Sequence, residues 1–242
     1  MLRRNNTKGK IFFLITALLM AFAGHSQTAG EYFERGLEKH HLQDYRGAII
    51  DYSKAIEINP VYLMAYSFRG NAKNDLQDYR GAIADYTKAI EIDPEYSLAY
   101  SSRGEAKANL QDIRGAIVDF NKAIELYPKD AIVYYDRGLA KQKLEDNKGA
   151  IADFTQAIEI DPKYAKSYFL RGVAKAKLED NKGAIVDFTQ AIEIDPKYAE
   201  SYFLRGVEKI VLGQKDSGCL DFKKAKELGF VQADMEINKN CR

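Results

Sequence analysis

The segment Leu144–Val173 returns as Leu178–Val207, unchanged except that Ala152 becomes Val186 and Lys166 becomes Glu200. The step is 34 residues, and the rest of the chain is a looser version of the same unit. Arg-Gly recurs at Arg35-Gly36, Arg69-Gly70, Arg103-Gly104, Arg137-Gly138, Arg171-Gly172 and Arg205-Gly206, always at that spacing. A fixed period of this length marks a stack of small units that bury their apolar faces against one another, not a single globular core. For 242 residues the ordinary expectation of one or two domains therefore gives way to six units, 29–62, 63–96, 97–130, 131–164, 165–198 and 199–232.

Within the fourth unit, residues 131–144 carry apolar or small side chains at helical spacing, and Glu145-Asp146 supplies a turn whose Asp is placed to cap the next helix. A second helical run, 147–160, ends at Asp161-Pro162, since proline cannot continue a helix interior. Each unit is thus a helical hairpin of a helix A and a helix B. Tyr134, Arg137, Gly138 and Lys141 recur in every copy and fall on one side of helix A, while the varying Ile132, Tyr135, Leu139 and Gln142 form a stripe on the other. A side kept constant makes the repeated internal contacts, and the varying side is free to meet something else.

Folding the hairpin at 145–146 sets Lys141 opposite Ala150 and Arg137 opposite Asp153 and Phe154, with Gly138 and Ala150 small because the helices approach closely. An Asp follows each of these arginines by sixteen residues, from Asp51 to Asp221. Repeated ion pairs are expected, Arg137–Asp153 and Arg171–Asp187 among them. Identical groups in every copy point to a structural role rather than to catalysis or carboxylate binding.

These residues resemble the tetratricopeptide repeat family over 29–232. The resemblance rests on the period, on an aromatic near the start of helix A (Tyr32 to Tyr202), the following Gly, and a small residue in helix B (Ala48 to Ala184, then Gly218). It rests also on an aromatic four residues later (Tyr52, Tyr86, Phe120, Phe154, Phe188, Phe222), then Ala, and on the closing Pro60, Pro94, Pro128, Pro162 and Pro196. Departures are a Tyr for the family's usual Trp, Lys39 to Lys209 where helix A usually has Tyr, and Phe230 in place of a sixth Pro. The resemblance implies an all-α, right-handed solenoid whose concave groove, lined by helix A, takes up protein or peptide partners. Carried onto this chain, the groove includes Met64, Asn71 and Asn74 in a mostly polar strip. Tyr135, Leu139, Phe169, Val173, Phe203, Val207 and Ile210 make an apolar strip in units four to six. Two readings of the apolar strip stay open: a partner site, or side chains that pack together in a tightly wound superhelix. The Lys that opens the chaperone-binding clamp of some family members is absent, its positions holding Phe33, Ser67, Ser101, Tyr135, Phe169 and Phe203.

Residues 1–26 have the layout of a secretory signal peptide: basic Met1–Lys10, apolar Ile11–Ala23, then small residues. Cleavage after Ala23 or after Ser26 fits, the latter leaving Gln27 first. The apolar run is too short for a membrane span, and no Cys follows it to carry a lipid. The formal charge is +1, and removing Arg3, Arg4, Lys8 and Lys10 leaves −3, which speaks against a nucleic-acid partner.

Residues 233–242 read as a cap, with a short helix over 233–240 covering the last hairpin. If the chain turns near Gly229-Phe230, Cys219 and Cys241 come side by side, and in an exported protein they invite a disulfide; two buried free thiols are the alternative. With His40 and His41 at the far end of the stack, no metal site is expected, and no cofactor. The sequence reads as an exported, non-enzymatic scaffold or adaptor for protein–protein interaction, periplasmic or secreted and without a membrane span once the leader is removed. The alternative is a regulatory or carbohydrate- or peptidoglycan-binding module of an envelope enzyme complex.

Overall fold

A computed structural model describes residues 27–241, and the leader segment lies outside the described residues. The described residues form thirteen helices and no strand. The A helices are α1 (Ala29–His41), α3 (Leu63–Asp75), α5 (Ser97–Asn109), α7 (Ala131–Lys143), α9 (Ala165–Lys177) and α11 (Ala199–Val211). The B helices are α2 (Tyr45–Ile58), α4 (Tyr79–Ile92), α6 (Ile113–Leu126), α8 (Asn147–Ile160), α10 (Asn181–Ile194) and α12 (Lys215–Glu227), and α13 (Ala233–Asn240) closes the stack. The two helices of each unit pack on each other and each B helix packs on the first helix that follows, giving an α-solenoid.

Local chemistry sets the hairpin. Asp44, Asp78, Asp112, Asp146 and Asp180 each accept a hydrogen bond from the backbone N–H three residues on, at 2.9–3.0 Å, and so satisfy one of the unpaired donors that open helix B. The residue before each cap, Gln43, Gln77, Gln111, Glu145 or Glu179, turns the chain at φ near +60°, and Gly213 does so in the sixth unit. The recurring glycine of helix A lies on the ring of helix B: a Cβ added at Gly138 would sit 2.7 Å from Phe154 Cε1. The close approach is of backbone to ring. Phe154 and Ala150 are buried, as are their counterparts in the other units, with Gly218 replacing the alanine in the last.

The A helices of the first four units also approach one another (α1 on α3, α3 on α5, α5 on α7), while no two B helices approach to that extent among the described residues. Beyond the packing of each B helix on the next A helix, the first four units also meet along the A row, the side that the family resemblance places on the inside of the curve. The B helices turn Ile50, Val118, Val186 and Leu220 outward to solvent. At the C-terminal end, α13 lays Ile237 and Cys241 against a cluster around Phe222 and Ala225, and Cys219 is joined to Cys241 with Cα atoms 5.7 Å apart.

Candidate functional site

The recurring charges form a ladder inside the solenoid. Arg137 donates from Nε and Nη2 to the two oxygens of Asp153 at 3.0 and 2.6 Å, and Arg171 does the same to Asp187 at 3.0 and 2.7 Å. Such forked, charge-assisted pairs are strong and tightly oriented. The Lys of the next helical turn joins each one: Lys141 Nζ lies 2.8 Å from Asp153 Oδ2, and Lys175 Nζ lies 2.7 Å from Asp187 Oδ2. Lys141, expected opposite Ala150, extends its ammonium to the carboxylate one turn further along helix B. The third guanidinium nitrogen, Nη1, reaches back one unit to Ser53, Thr87, Asn121, Thr155 or Thr189. Each guanidinium also stacks over its own helix-A tyrosine, Arg137 lying 5.4 Å from the Tyr134 centroid. In the first unit the Arg35 pair holds the Asp51 carboxyl down at about 2. Every buried carboxylate of the ladder is thus spent on bonds within and between units.

The lysine rung and the backward hydrogen bond were not foreseen from the sequence, although both repeat every 34 residues. The lysine stands twelve positions before each Asp. The polar residue stands sixteen before each Arg from the second unit on, but as Ser, Thr or Asn, which hides the recurrence.

On the inner face, side-chain size decides what is open. Tyr135 stacks on Phe154 and Tyr164 at 6.0 and 5.0 Å, Phe169 on Phe188 and Tyr198 at 5.9 and 4.9 Å, and Phe203 on Phe222 and Phe230 at 5.7 and 4.8 Å. Phe203, Val207 and Ile210 belong to the C-terminal cluster, and Val173 is half-buried. These rings close the fold, which is what the packing reading of the apolar strip expects. Tyr164 and Tyr198 are engaged in these stacks. Burial lifts Tyr164 to about 12.

The second and third units carry Ser67 and Ser101 where the others carry the aromatic. Here Asn71 accepts a hydrogen bond from Tyr86 Oη at 2.8 Å, and the Asn74 side-chain oxygen is buried. Met64, Leu98 and Ile132 are 37, 50 and 60% exposed along the leading edge of the A helices. Met64 and Leu98 belong to the strip expected to be mostly polar and Ile132 to the fourth unit; among the described residues Val211, at the end of α11, is the other large apolar side chain of the A row open to this degree. Beside the strip, Leu139 lines a pocket of about 180 Å³ with Glu105, Ala108, Asn109, Phe120, Asp136, Ala140 and Lys143. Burial, with Glu105 and Asp130 nearby, pushes the Asp136 carboxyl up to about 7. Asp136 was not singled out from sequence: three of its counterparts, Phe68, Leu170 and Leu204, are apolar, but Glu34 and Ser102 are not.

Among the described residues, no group of three or more His, Cys, Asp or Glu is arranged to hold a metal ion, and no helix is long and apolar enough to cross a membrane.

A solenoid of helical hairpins with this ladder defines the class of the protein. Tetratricopeptide repeat profiles match residues 27–62, 98–130 and 165–198, a second such profile matches 131–164, and a TPR repeat profile matches 70–111. The chain belongs to the tetratricopeptide repeat family. These matches end at residue 198, whereas the same pairing of helices continues through α11 and α12.

Among solved structures, the chain is similar to YrrB, a TPR protein described as having an unusual peptide-binding site. The two share 23% identity over 78% of this chain and 97% of that one, with a TM-score of 0.68. It is similar also to MamA (26% identity, 68% of this chain and 96% of that one, TM-score 0.64) and to PilF of Pseudomonas aeruginosa (17%, 87% and 96%, TM-score 0.75). No curated protein sequence matches the chain.

Proposed function

We propose that the protein is an exported, non-catalytic scaffold that holds an extended or helical segment of another protein along the inner face of helix A. The observation that carries this reading is the row Met64, Leu98 and Ile132, apolar side chains left open on the A helices beside the pocket under Leu139. Contiguous open apolar surface flanked by polar groups is the common mark of a partner site. The ladder is consumed internally, so what varies between units is the inner face. Partner binding is the general property of the family, and YrrB supplies a relative described by its peptide site. Export is supported by the leader-like residues 1–26 and by a cystine, a bond that persists in oxidising compartments.

The binding test uses the full chain and a display library of short random peptides. Retained peptides should lose binding to Leu98→Glu and Ile132→Glu but keep it to Val186→Glu, an equally exposed change on the outer face. All three variants should melt with the parent. Peptides indifferent to the inner-face changes would overturn the groove. Export is checked separately by N-terminal sequencing of native material, which should begin near Gln27; an intact Met1 start rejects it.

A further inference from the structure

The pocket under Leu139 exists because one unit breaks the pattern in three places at once. In units one, four, five and six, an A-helix ring covers the helix-B ring: Phe33 on Tyr52 at 5.7 Å, and Tyr135, Phe169 and Phe203 as above. Unit two lacks the covering ring, yet Tyr86 is held by its hydroxyl to Asn71. In unit three Ser101 offers no ring, Phe120 has no hydroxyl, and Glu105 stands where Asn71 stood. Phe120 is left as the floor of the opening. Across from it, helix α7 supplies Asp136 where units two, five and six place Phe68, Leu170 and Leu204 and units one and three place Glu34 and Ser102.

Glu105 stands at a position that is Leu or Val in four units, and Asp136 at one that is Phe or Leu in three; the two carboxylates, on adjacent A helices, line one pocket whose other walls include Ala108, Phe120, Leu139 and Ala140. Among the described residues Asp136 makes no hydrogen bond or ion pair, while the ladder carboxylates in every unit are bonded to an arginine and a lysine. Lys143 lies at the mouth, exposed, and pairs with neither acid. A half-buried carboxylate with no partner is costly, and a cation brought from outside relieves that cost.

We propose that this pocket receives the side chain of an arginine from the bound segment, its stem against Phe120 and Leu139 and its guanidinium between Asp136 and Glu105. This deepens the groove reading and rests on it. The match is in shape and charge. Cavities of roughly 150 Å³ hold a benzene-sized group, so the space suits one side chain. A planar guanidinium can stack on a ring while donating to two carboxylates, which a lysine ammonium cannot do equally well.

The probe is an arginine-containing peptide retained by the full chain in the library selection, and the same peptide with citrulline, its neutral near-isostere, in place of arginine. Citrulline should weaken binding at least about tenfold, as expected on losing a charge-assisted pair. The double variant Glu105→Gln, Asp136→Asn should weaken the arginine peptide by a similar factor and leave the citrulline peptide unchanged. If arginine and citrulline bind alike, or the retained peptides that need Leu98 and Ile132 carry no arginine, the pocket assignment fails and the groove stands. If no peptide depends on Leu98 and Ile132, both fail. Unchanged circular dichroism of the double variant separates lost binding from lost fold.

Discussion

At the residue scale, Asp136 and Asp153 show how one side chain takes opposite roles seventeen positions apart. Asp153 lies on the recurring side, fully bonded to Arg137 and Lys141; Asp136 lies on the varying side with its carboxyl pushed up to about 7 from an ordinary 3.8. The folded state thus holds a proton on Asp136 over a range in which the unfolded chain has lost it. Stability contributed by that proton is complete below about pH 4, declines as pH rises to about 7, and is gone above it. Asp136→Asn removes the titration. In urea unfolding the variant should be more stable than the parent at pH 8, by on the order of 2–4 kcal/mol since each pKa unit is worth about 1.4 kcal/mol. The gap should close toward pH 4, and a gap that is the same at both values would show that the carboxyl does not titrate in this range. The role of Asp153 was legible because its partner repeats with it. Asp136 has no repeating partner, and its position varies among Glu34, Phe68, Ser102, Leu170 and Leu204, so no recurrence marks it.

At the scale of the element, the hairpins were readable because proline and the turn residues punctuate every unit. The expected helix over 131–144 is observed as Ala131–Lys143, and 147–160 is observed without change. The positive-φ turn was not readable. Only the sixth unit announces it with Gly213; the others place Gln or Glu there, residues with no preference for that region. The backbone accepts this cost because the next residue must be an aspartate aimed at the opening N–H groups of helix B. The glycine of helix A was read as a close helix approach, and the structure refines the reason: the helix backbone rests on the Phe154 ring, a contact between layers of the core that the sequence pattern of one helix cannot show. The inner-face rings were the hardest to assign. Stacked on helix B and half-buried, Tyr135, Phe169 and Phe203 carry packing, which the variability of their positions does not report.

At the scale of the whole molecule, stability is carried from neighbour to neighbour, since every unit packs only on those beside it. The two ends are therefore the weak points, each with a partner on one side. The N-terminal end is tied by a capping box between Thr28 and Glu31 and by Gln27 bonding Arg35 in the place where later units use the preceding repeat. The C-terminal end relies on a helix of only eight residues, α13, and on the cystine that fastens its last turn to α12. Closing a loop of 22 residues restricts the unfolded chain by about 3 kcal/mol in the entropic account. In a globular domain that gain would be shared by the whole core. In a stack it should stay local, because opening can begin at one end without disturbing distant units. Reduction of Cys219–Cys241 is therefore expected to speed amide hydrogen exchange across residues 209–242 while leaving residues 66–154 nearly unchanged, as read by exchange mass spectrometry on the full chain. Uniform acceleration would instead mean that the six units unfold as one cooperative body, and protection unaltered anywhere would mean that α13 holds through Ala233, Ile237 and Phe230 without the bond.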